Sequence, residues 1–211
     1  LLKGFCSFVA ENSTKEQHVL CANEGNAIGV AIGYHLATGK IPLVYMQNSG
    51  LGNAVNPLLS LADAEVYSIP ILLMIGWRGE PGIKDEPQHK KQGLVTLAML
   101  ETMGIPYKVI SSEPDRACED LKSAMNYMKN SQSPFALVIK KNTLESYSLK
   151  NKTDTSFVLE REQAIKLILD SLESEDIVVS TTGMISREVF EIREGMQVGH
   201  SRDCLTVGGM G

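Results

Sequence analysis

The acid Glu24 stands where a carboxylate could do chemistry, because it separates a short apolar run from a glycine-rich segment. The run 18–21 predicts a buried strand, and the spacing of alanine, glycine and isoleucine after Glu24 predicts a helix. Glu24 would then lie at a strand-to-helix turn, on the sheet edge where open α/β folds bind ligands. The alternative is an acid that only interacts with the free N–H groups and dipole of a helix N-terminus.

A second polar stretch, residues 47–53, reads Gln-Asn-Ser-Gly-Leu-Gly-Asn and follows an apolar run. Its glycines allow a ligand to approach the backbone, and its amides are neutral hydrogen-bond partners. We therefore expect this loop to form the floor of a binding site. Alternatively, Asn48 and Ser49 only cap the next helix.

Residues 76–93 form a long segment that is dense in ionisable side chains and that we predict to be irregular. Long loops in compact domains are often functional, and an anionic substrate would need cations such as Arg78, Lys84 and Lys90. Histidine changes its charge near neutral pH, so His89 is the candidate proton carrier or substrate ligand. The alternative is a solvated surface loop whose charges pair weakly.

A hydroxyl-rich turn, residues 180–183, lies between the β-branched run 177–179 and a predicted helix over 185–193. Hydroxyls beside a helix N-terminus suit a diphosphate. A capped helix without a ligand is the alternative.

The elements that must position these residues alternate between apolar and amphipathic segments, which predicts a βαβα order and a parallel sheet. Predicted strands cover residues 19–21, 43–46, 71–75, 107–110 and 135–139. Predicted helices cover 1–10, the segment from Glu24 onward, 54–67, 94–103 and 114–129. The polar segment 141–157 predicts a solvated linker, and a helix over 159–172 follows it.

Composition narrows the function classes. A formal net charge of -5 argues against a nucleic acid or an anionic membrane as the main partner, so small molecules are favoured. The four cysteines show no zinc or redox spacing, which predicts reduced thiols. Because no apolar run approaches the roughly 20 residues that span a bilayer and no signal sequence opens the chain, we expect a cytoplasmic location.

Glu24 with Gly33-Tyr34, Thr38-Gly39-Lys40 and the loop 47–54 resembles the pyrimidine-binding domain of thiamine-diphosphate-dependent 2-oxo acid decarboxylases. The sequence of residues 23–27 and 45–53 is similar to that of the phosphonopyruvate decarboxylases and their sulfopyruvate relatives. The resemblance implies an α/β thiamine-diphosphate-binding fold with a parallel sheet flanked by helices. It also implies a carboxy-lyase that uses thiamine diphosphate and Mg²⁺, because the carbanion left by decarboxylation needs a cofactor as electron sink.

The resemblance implies that Glu24 donates to N1′ of the aminopyrimidine and that His89 joins it in catalysis. The residues implied to bind the cofactor are Glu24, Asn48, Ser49, Gly50, Asn53, Thr181, Thr182, Gly183, Gly209 and Met210. Those implied to bind the substrate are Gln47, Asn48, Lys84, Gln88 and His89. The metal ligands of the family match no residue of this chain. The resemblance also implies a homo-oligomer, at least a dimer, because partner subunits grip opposite ends of the cofactor.

The domain organisation implied is a pyrimidine-binding domain over 1–140, a linker over 141–157 and the truncated beginning of a second α/β, diphosphate-binding domain over 158–211. The expected reaction converts 3-phosphonopyruvate to phosphonoacetaldehyde and CO₂ in phosphonate biosynthesis. Sulfopyruvate decarboxylation is the alternative, because the two substrates differ by one atom type and about one charge. A non-catalytic α/β binding subunit is the alternative from another class.

Overall fold

The computed structural model describes residues 1–150, 157–181 and 183–206. The chain divides into two compact units, Leu1–Asn151 and Lys152–Gly211. Three of the predicted cofactor-binding residues, Thr182, Gly209 and Met210, lie outside the described residues.

The first unit is built on a four-stranded parallel sheet. Its strands are β1 (Leu43–Gln47), β2 (Leu72–Gly76), β3 (Tyr107–Val109) and β4 (Phe135–Ile139), in the order β1-β2-β4-β3. The register pairs Gln47 with Gly76 and Gly76 with Ile139, so three strands end level at one edge. The predicted α/β class with a parallel sheet flanked by helices is confirmed.

Both faces of this sheet are covered, which explains why its strands are continuous apolar runs in the sequence. All five residues of β4 are buried. One face carries a core that includes Ile28, Leu51, Leu73 and Leu100. The other face packs mainly against Met128 and its neighbours.

Five α-helices belong to the first unit: α1 (Lys3–Asn12), α2 (Glu24–Thr38), α3 (Leu51–Pro57), α4 (Pro87–Thr102) and α5 (Pro114–Ser131). The start of α2 is fixed by Asn23, whose side chain accepts a hydrogen bond of 2.9 Å from the Asn26 N–H. Its end is fixed by Gly39 in the left-handed conformation at φ 68°. Glu24 is therefore the first residue of a capped helix.

The predicted strand 19–21 is wrong. Residues 19–21 have irregular backbone in the structure, and Leu20 is 83% exposed. Among the described residues this segment pairs with no strand, and β1 is the edge strand of the parallel sheet. A short apolar run without a pairing partner cannot be distinguished from a strand by its composition alone.

Two helix boundaries differ from the prediction. The expected helix 54–67 is instead α3 followed by a π-helical turn, Leu58–Ala62. Pro57 lacks the N–H that would continue the regular ladder, which accounts for the wider turn. Helix α4 begins at Pro87 rather than at residue 94, because its first turns are polar and carry no apolar period.

Residues 141–150, the described part of the predicted linker next to the first unit, are mostly exposed. They contain no helix or strand, yet Tyr147 stacks edge-on against Phe8 with ring centroids 5.5 Å apart. The Tyr147 hydroxyl also donates to Glu11 over 2.9 Å. This segment therefore packs along α1.

The second unit contains α6 (Arg161–Asp170), β5 (Val178–Ser180), α7 (Met184–Met196) and β6 (Asp203–Leu205), with β5 and β6 parallel. A reciprocal capping box between Glu160 and Gln163 begins α6. Both helices overlap the predicted ones. None of the helices described is long and apolar enough to cross a membrane.

Candidate active site

Three segments of the first unit meet at the carboxyl edge of the sheet. One is the N-terminus of α2 with Glu24, one is the 3₁₀ turn Asn48–Gly50 after β1, and one is the loop after β2. This is the edge at which open α/β sheets bind ligands.

The Glu24 carboxylate lies directly against the turn after β1. Asn53 donates from Nδ2 to Glu24 Oε2 over 3.0 Å, and no described residue donates to Oε1. A Cβ on Gly50 would overlap the Glu24 carboxylate, so only glycine leaves room for it there. The predicted site residues Glu24, Gly50 and Asn53 are thus brought together.

Asn48 joins two loops of the site. It is 5% exposed, its Oδ1 accepts from the Arg78 N–H over 3.0 Å, and its Nδ2 donates to the Arg78 carbonyl over 2.9 Å. The second Nδ2 proton goes to Thr96 Oγ1 over 2.8 Å. Both N–H donors of the Asn48 amide therefore bind groups of the protein, so Asn48 positions the Arg78 backbone. Beside it, Gln47 Nε2 donates to Ser49 Oγ over 2.7 Å.

The loop after β2 is ordered around Asp85. Its carboxylate accepts from Arg78 Nε and from the Gly79 and Glu86 N–H groups, each over 2.8 Å, and forms a second bond with the Arg78 guanidinium. The Arg78 hydrogen bonds, with help from the two backbone N–H groups, hold the pKa of Asp85 well below its usual range. Arg78 is therefore paired within the loop rather than free for a substrate.

The same loop lies directly on α4. Gly79 has φ 69°, and a Cβ there would overlap the His89 carbonyl, while a Cβ on Gly93 would overlap the Gly79 carbonyl. Trp77 Nε1 also donates to the Gly93 carbonyl over 2.8 Å. Backbone therefore packs on backbone, which fixes the first turns of α4 against the sheet edge.

Three buried polar atoms in those first turns have no hydrogen-bond partner among the described residues: Gln88 Oε1, His89 Nδ1 and Gln92 Oε1. Buried polar atoms are usually paired, because leaving one unpaired costs about 1–3 kcal/mol. Their clustering is consistent with a polar ligand or water at this position. Gln92 was missed in the sequence because the helix was expected to begin after it, although it follows Gln88 by four residues.

Of the predicted residues of the second unit, Thr181 and Gly183 are described, and they lie just before α7. Gly183 precedes the helix at φ 96°, and Ser186 Oγ donates to the Thr181 carbonyl over 2.6 Å. Ser186 also shares a 2.9 Å hydrogen bond with Ser180. Within the described part of the chain, no group of three or more His, Cys, Asp or Glu side chains could hold a metal ion.

Residues 2–100 match the family model described as thiamine pyrophosphate enzyme, N-terminal TPP binding domain. The alpha subunit of sulfopyruvate decarboxylase from Methanococcus maripaludis is 39% identical over 123 residues, covering 58% of this chain and 71% of that subunit. The chain belongs to the thiamine pyrophosphate enzyme family.

Two phosphonopyruvate decarboxylases match a larger part of the chain at lower identity. The protein from Streptomyces viridochromogenes is 29% identical over 211 residues, covering 91% of this chain and 52% of that enzyme. The protein from Streptomyces hygroscopicus is 28% identical over 219 residues, covering 95% of this chain and 53% of that enzyme. The chain thus spans about half the length of these two relatives.

The family assignment agrees with the geometry around Glu24. Thiamine carries an aminopyrimidine, whose ring nitrogens need a polar partner. Oε1 of Glu24, which has no hydrogen-bond partner among the described residues and lies beside Gly50, fits that need. The residues predicted from Glu24 to His89 fall within the matched segment, whereas those from Thr181 onward fall outside it.

Proposed function

We propose that this chain provides the pyrimidine-binding part of a decarboxylase that depends on thiamine diphosphate and Mg²⁺. The proposed reaction converts 3-phosphonopyruvate to phosphonoacetaldehyde and CO₂, in phosphonate biosynthesis. The observation that carries the proposal is the Glu24 carboxylate, fixed by Asn53 against Gly50 at the carboxyl edge of the sheet. Family membership and the two phosphonopyruvate decarboxylases among its relatives support it.

Glu24 would hold a proton at N1′ of the aminopyrimidine through Oε1, the oxygen to which no described residue donates. Asn53 orients the carboxylate, and the capped N-terminus of α2 fixes the backbone that carries it. Thiamine diphosphate, when bound, supplies the electron sink that the carbanion of decarboxylation requires. Glu24 would therefore contribute a positioned acid, which is worth roughly 10²–10⁴ in rate.

His89 and Gln88 would contact the substrate, and His89 would move a proton to or from it. Their buried atoms without a partner among the described residues support this role, because His89 Nδ1 can donate to an oxygen of a bound 2-oxo acid and a water beside the substrate can donate to Gln88 Oε1. Gln92 joins them in this proposal. Asn48 serves the same site by holding the Arg78 backbone.

The second unit would begin the diphosphate-binding domain, with Thr181 and Gly183 before the N-terminus of α7, which suits an anion. The Mg²⁺ ligands would come from residues that this chain does not contain. A homo-oligomer, at least a dimer, is proposed because the two ends of each cofactor would be held by domains of two different subunits. A cytoplasmic location stays a prediction.

Sulfopyruvate decarboxylation is the second candidate. It is favoured by the 39% identity with the sulfopyruvate decarboxylase alpha subunit, which exceeds the identity with either phosphonopyruvate decarboxylase. The name of that relative also indicates a subunit, so a chain that works with a separate partner is part of this candidate. A non-catalytic binding subunit remains the alternative if the Glu24 carboxylate does no chemistry.

Aldehyde release by the complete polypeptide tests the proposal. Phosphonopyruvate and sulfopyruvate are supplied in parallel with thiamine diphosphate and Mg²⁺, and a reaction without cofactor is the control. We expect cofactor-dependent release with a higher kcat/KM for phosphonopyruvate. A higher kcat/KM for sulfopyruvate would transfer the assignment to the second candidate, and no cofactor-dependent release from either substrate would refute both.

A further inference from the structure

A cavity of about 230 Å³ opens beside the loop that follows β2. Its wall includes Trp77, Gly79, Lys84 and Asp85 from that loop, and Lys141, which lies two residues beyond the end of β4. At roughly 30 Å³ per water molecule of liquid, it has room for a tetrahedral anionic group and several waters. The cavity lies entirely within the first unit.

The charges of this cavity do not cancel. Each acid in its wall is already paired with a cation: Asp85 with Arg78, and Glu80 with Lys140 at 2.5 Å. Lys84 and Lys141 also line the cavity, and neither has an ion pair among the described residues. Two positive charges are therefore left without a paired acid among the described residues, and these two exposed lysines line the same small volume.

The wall that carries these charges is fixed in advance. Four hydrogen bonds converge on Asp85, and the Trp77 and Gly79 contacts hold the loop on α4. A loop ordered before binding loses little conformational entropy when a ligand arrives. Gly79 also places this wall against the backbone of His89, the proposed substrate ligand.

We propose that Lys84 and Lys141 form a subsite for the anionic head of the substrate, and that the subsite favours a phosphonate over a sulfonate. This inference rests on the proposed function and deepens it. Lysine binds such groups as a point charge with three donors. Two lysines without a paired acid match the one to two negative charges of a phosphonate near neutral pH better than the single charge of a sulfonate.

Binding of methylphosphonate and methanesulfonate by the complete polypeptide, loaded with thiamine diphosphate and Mg²⁺, tests the subsite without turnover. Titration calorimetry is run on the native protein and on Lys84→Met, Lys141→Met and the double variant. Lys122→Met is the matched control, because Lys122 is exposed on α5 and lies outside the cavity wall. Thermal melting confirms that each variant is folded, and Lys84→Arg tests whether charge alone restores binding.

We expect methylphosphonate to bind more tightly than methanesulfonate, and each single variant to weaken methylphosphonate binding roughly tenfold to a hundredfold, as for a lost charge-assisted bond. The control should bind like the native protein. Unchanged binding in the folded double variant would overturn the subsite, and tighter binding of methanesulfonate would overturn its preference.

Kinetics separate this inference from the proposed function. In the double variant, KM for phosphonopyruvate should rise, and kcat/KM should fall much more for phosphonopyruvate than for 2-oxobutanoate, which lacks the anionic head. Native protein that binds methylphosphonate through the lysines but releases no aldehyde would keep the subsite and refute the decarboxylase. Native protein that releases aldehyde with the same KM in the double variant would keep the decarboxylase and refute the subsite.

Discussion

Two carboxylates at the same sheet edge have opposite surroundings. Glu24 accepts one hydrogen bond, from Asn53, and keeps an oxygen free of donors from the described residues. Asp85 accepts bonds from Arg78 and from two backbone N–H groups, and its side chain is 14% exposed. The difference separates an acid that is available for chemistry from an acid that holds a loop in place.

The largest expected effect is that of Glu24→Gln on turnover. The amide keeps the shape of the side chain but cannot supply the carboxyl proton, so kcat should fall roughly 10²–10⁴-fold. The melting temperature should stay close to that of the native protein, because Glu24 makes a single side-chain hydrogen bond. Glu119→Gln, an exposed acid on α5, is the control. Turnover near the native rate in the folded variant would remove Glu24 from the mechanism.

Gly50→Ala should follow, with a loss of activity of roughly tenfold or more, because misplacing a reacting group by about 1 Å can cost about a hundredfold. The new Cβ would overlap the Glu24 carboxylate, while the backbone at φ -81° accepts alanine without strain. Gly52→Ala is the control, since nothing lies within 4 Å of a Cβ there. Equal kcat/KM values in the two variants would show that Glu24 does not depend on the space at Gly50.

Asp85→Asn should affect stability rather than chemistry. We expect the free energy of urea unfolding to fall by about 1.5–3 kcal/mol, the range for hydrogen bonds to a charged group. Fluorescence of Trp77, the single tryptophan of the chain, reports on the loop itself. An Asp85→Asn variant as stable as Glu119→Gln would contradict a structural role for this carboxylate.

The smallest expected effect is the change in the stability contribution of Asp85 as the pH is lowered. The pKa of Asp85 lies below its ordinary value of 3.8, so its charged form stabilises the fold above that pH and loses this contribution as the pH falls below it. The stability difference between the native protein and Asp85→Asn should therefore be constant from neutral pH down to about 5 and shrink below about 4. Urea unfolding at a series of pH values measures it. A difference that grows on acidification would have the wrong sign.

Much of the sheet could be predicted because burial on both faces demands apolar runs, as in β2 and β4. The same rule caused the error at residues 19–21: this apolar run looks like a buried strand in the sequence, but in the structure it pairs with no described strand. The start of α4 could not be found from periodicity, because its first turns are polar, and this hid the shared face of Gln88 and Gln92.

Glu24 could be proposed as a site residue from the sequence because its position between an apolar run and glycines is local. The role of Asn48 could not, since its partner Arg78 is 30 residues away. Asp85 was also missed: in a segment of mixed charge, sequence does not distinguish a partly buried ion pair from solvated side chains. The contact between Asn48 and Arg78 depends on the level ends of β1 and β2.

The most direct test of Glu24 as the working acid is exchange of the thiazolium C2 proton of bound thiamine diphosphate for deuterium, followed by NMR after acid quench. The measurement needs no substrate, so it is independent of the choice between phosphonate and sulfonate. We expect Glu24→Gln to slow the exchange by roughly 10²–10⁴ and Asp85→Asn to leave it near the native rate. Equal exchange rates in Glu24→Gln and the native protein would contradict the assignment of Glu24.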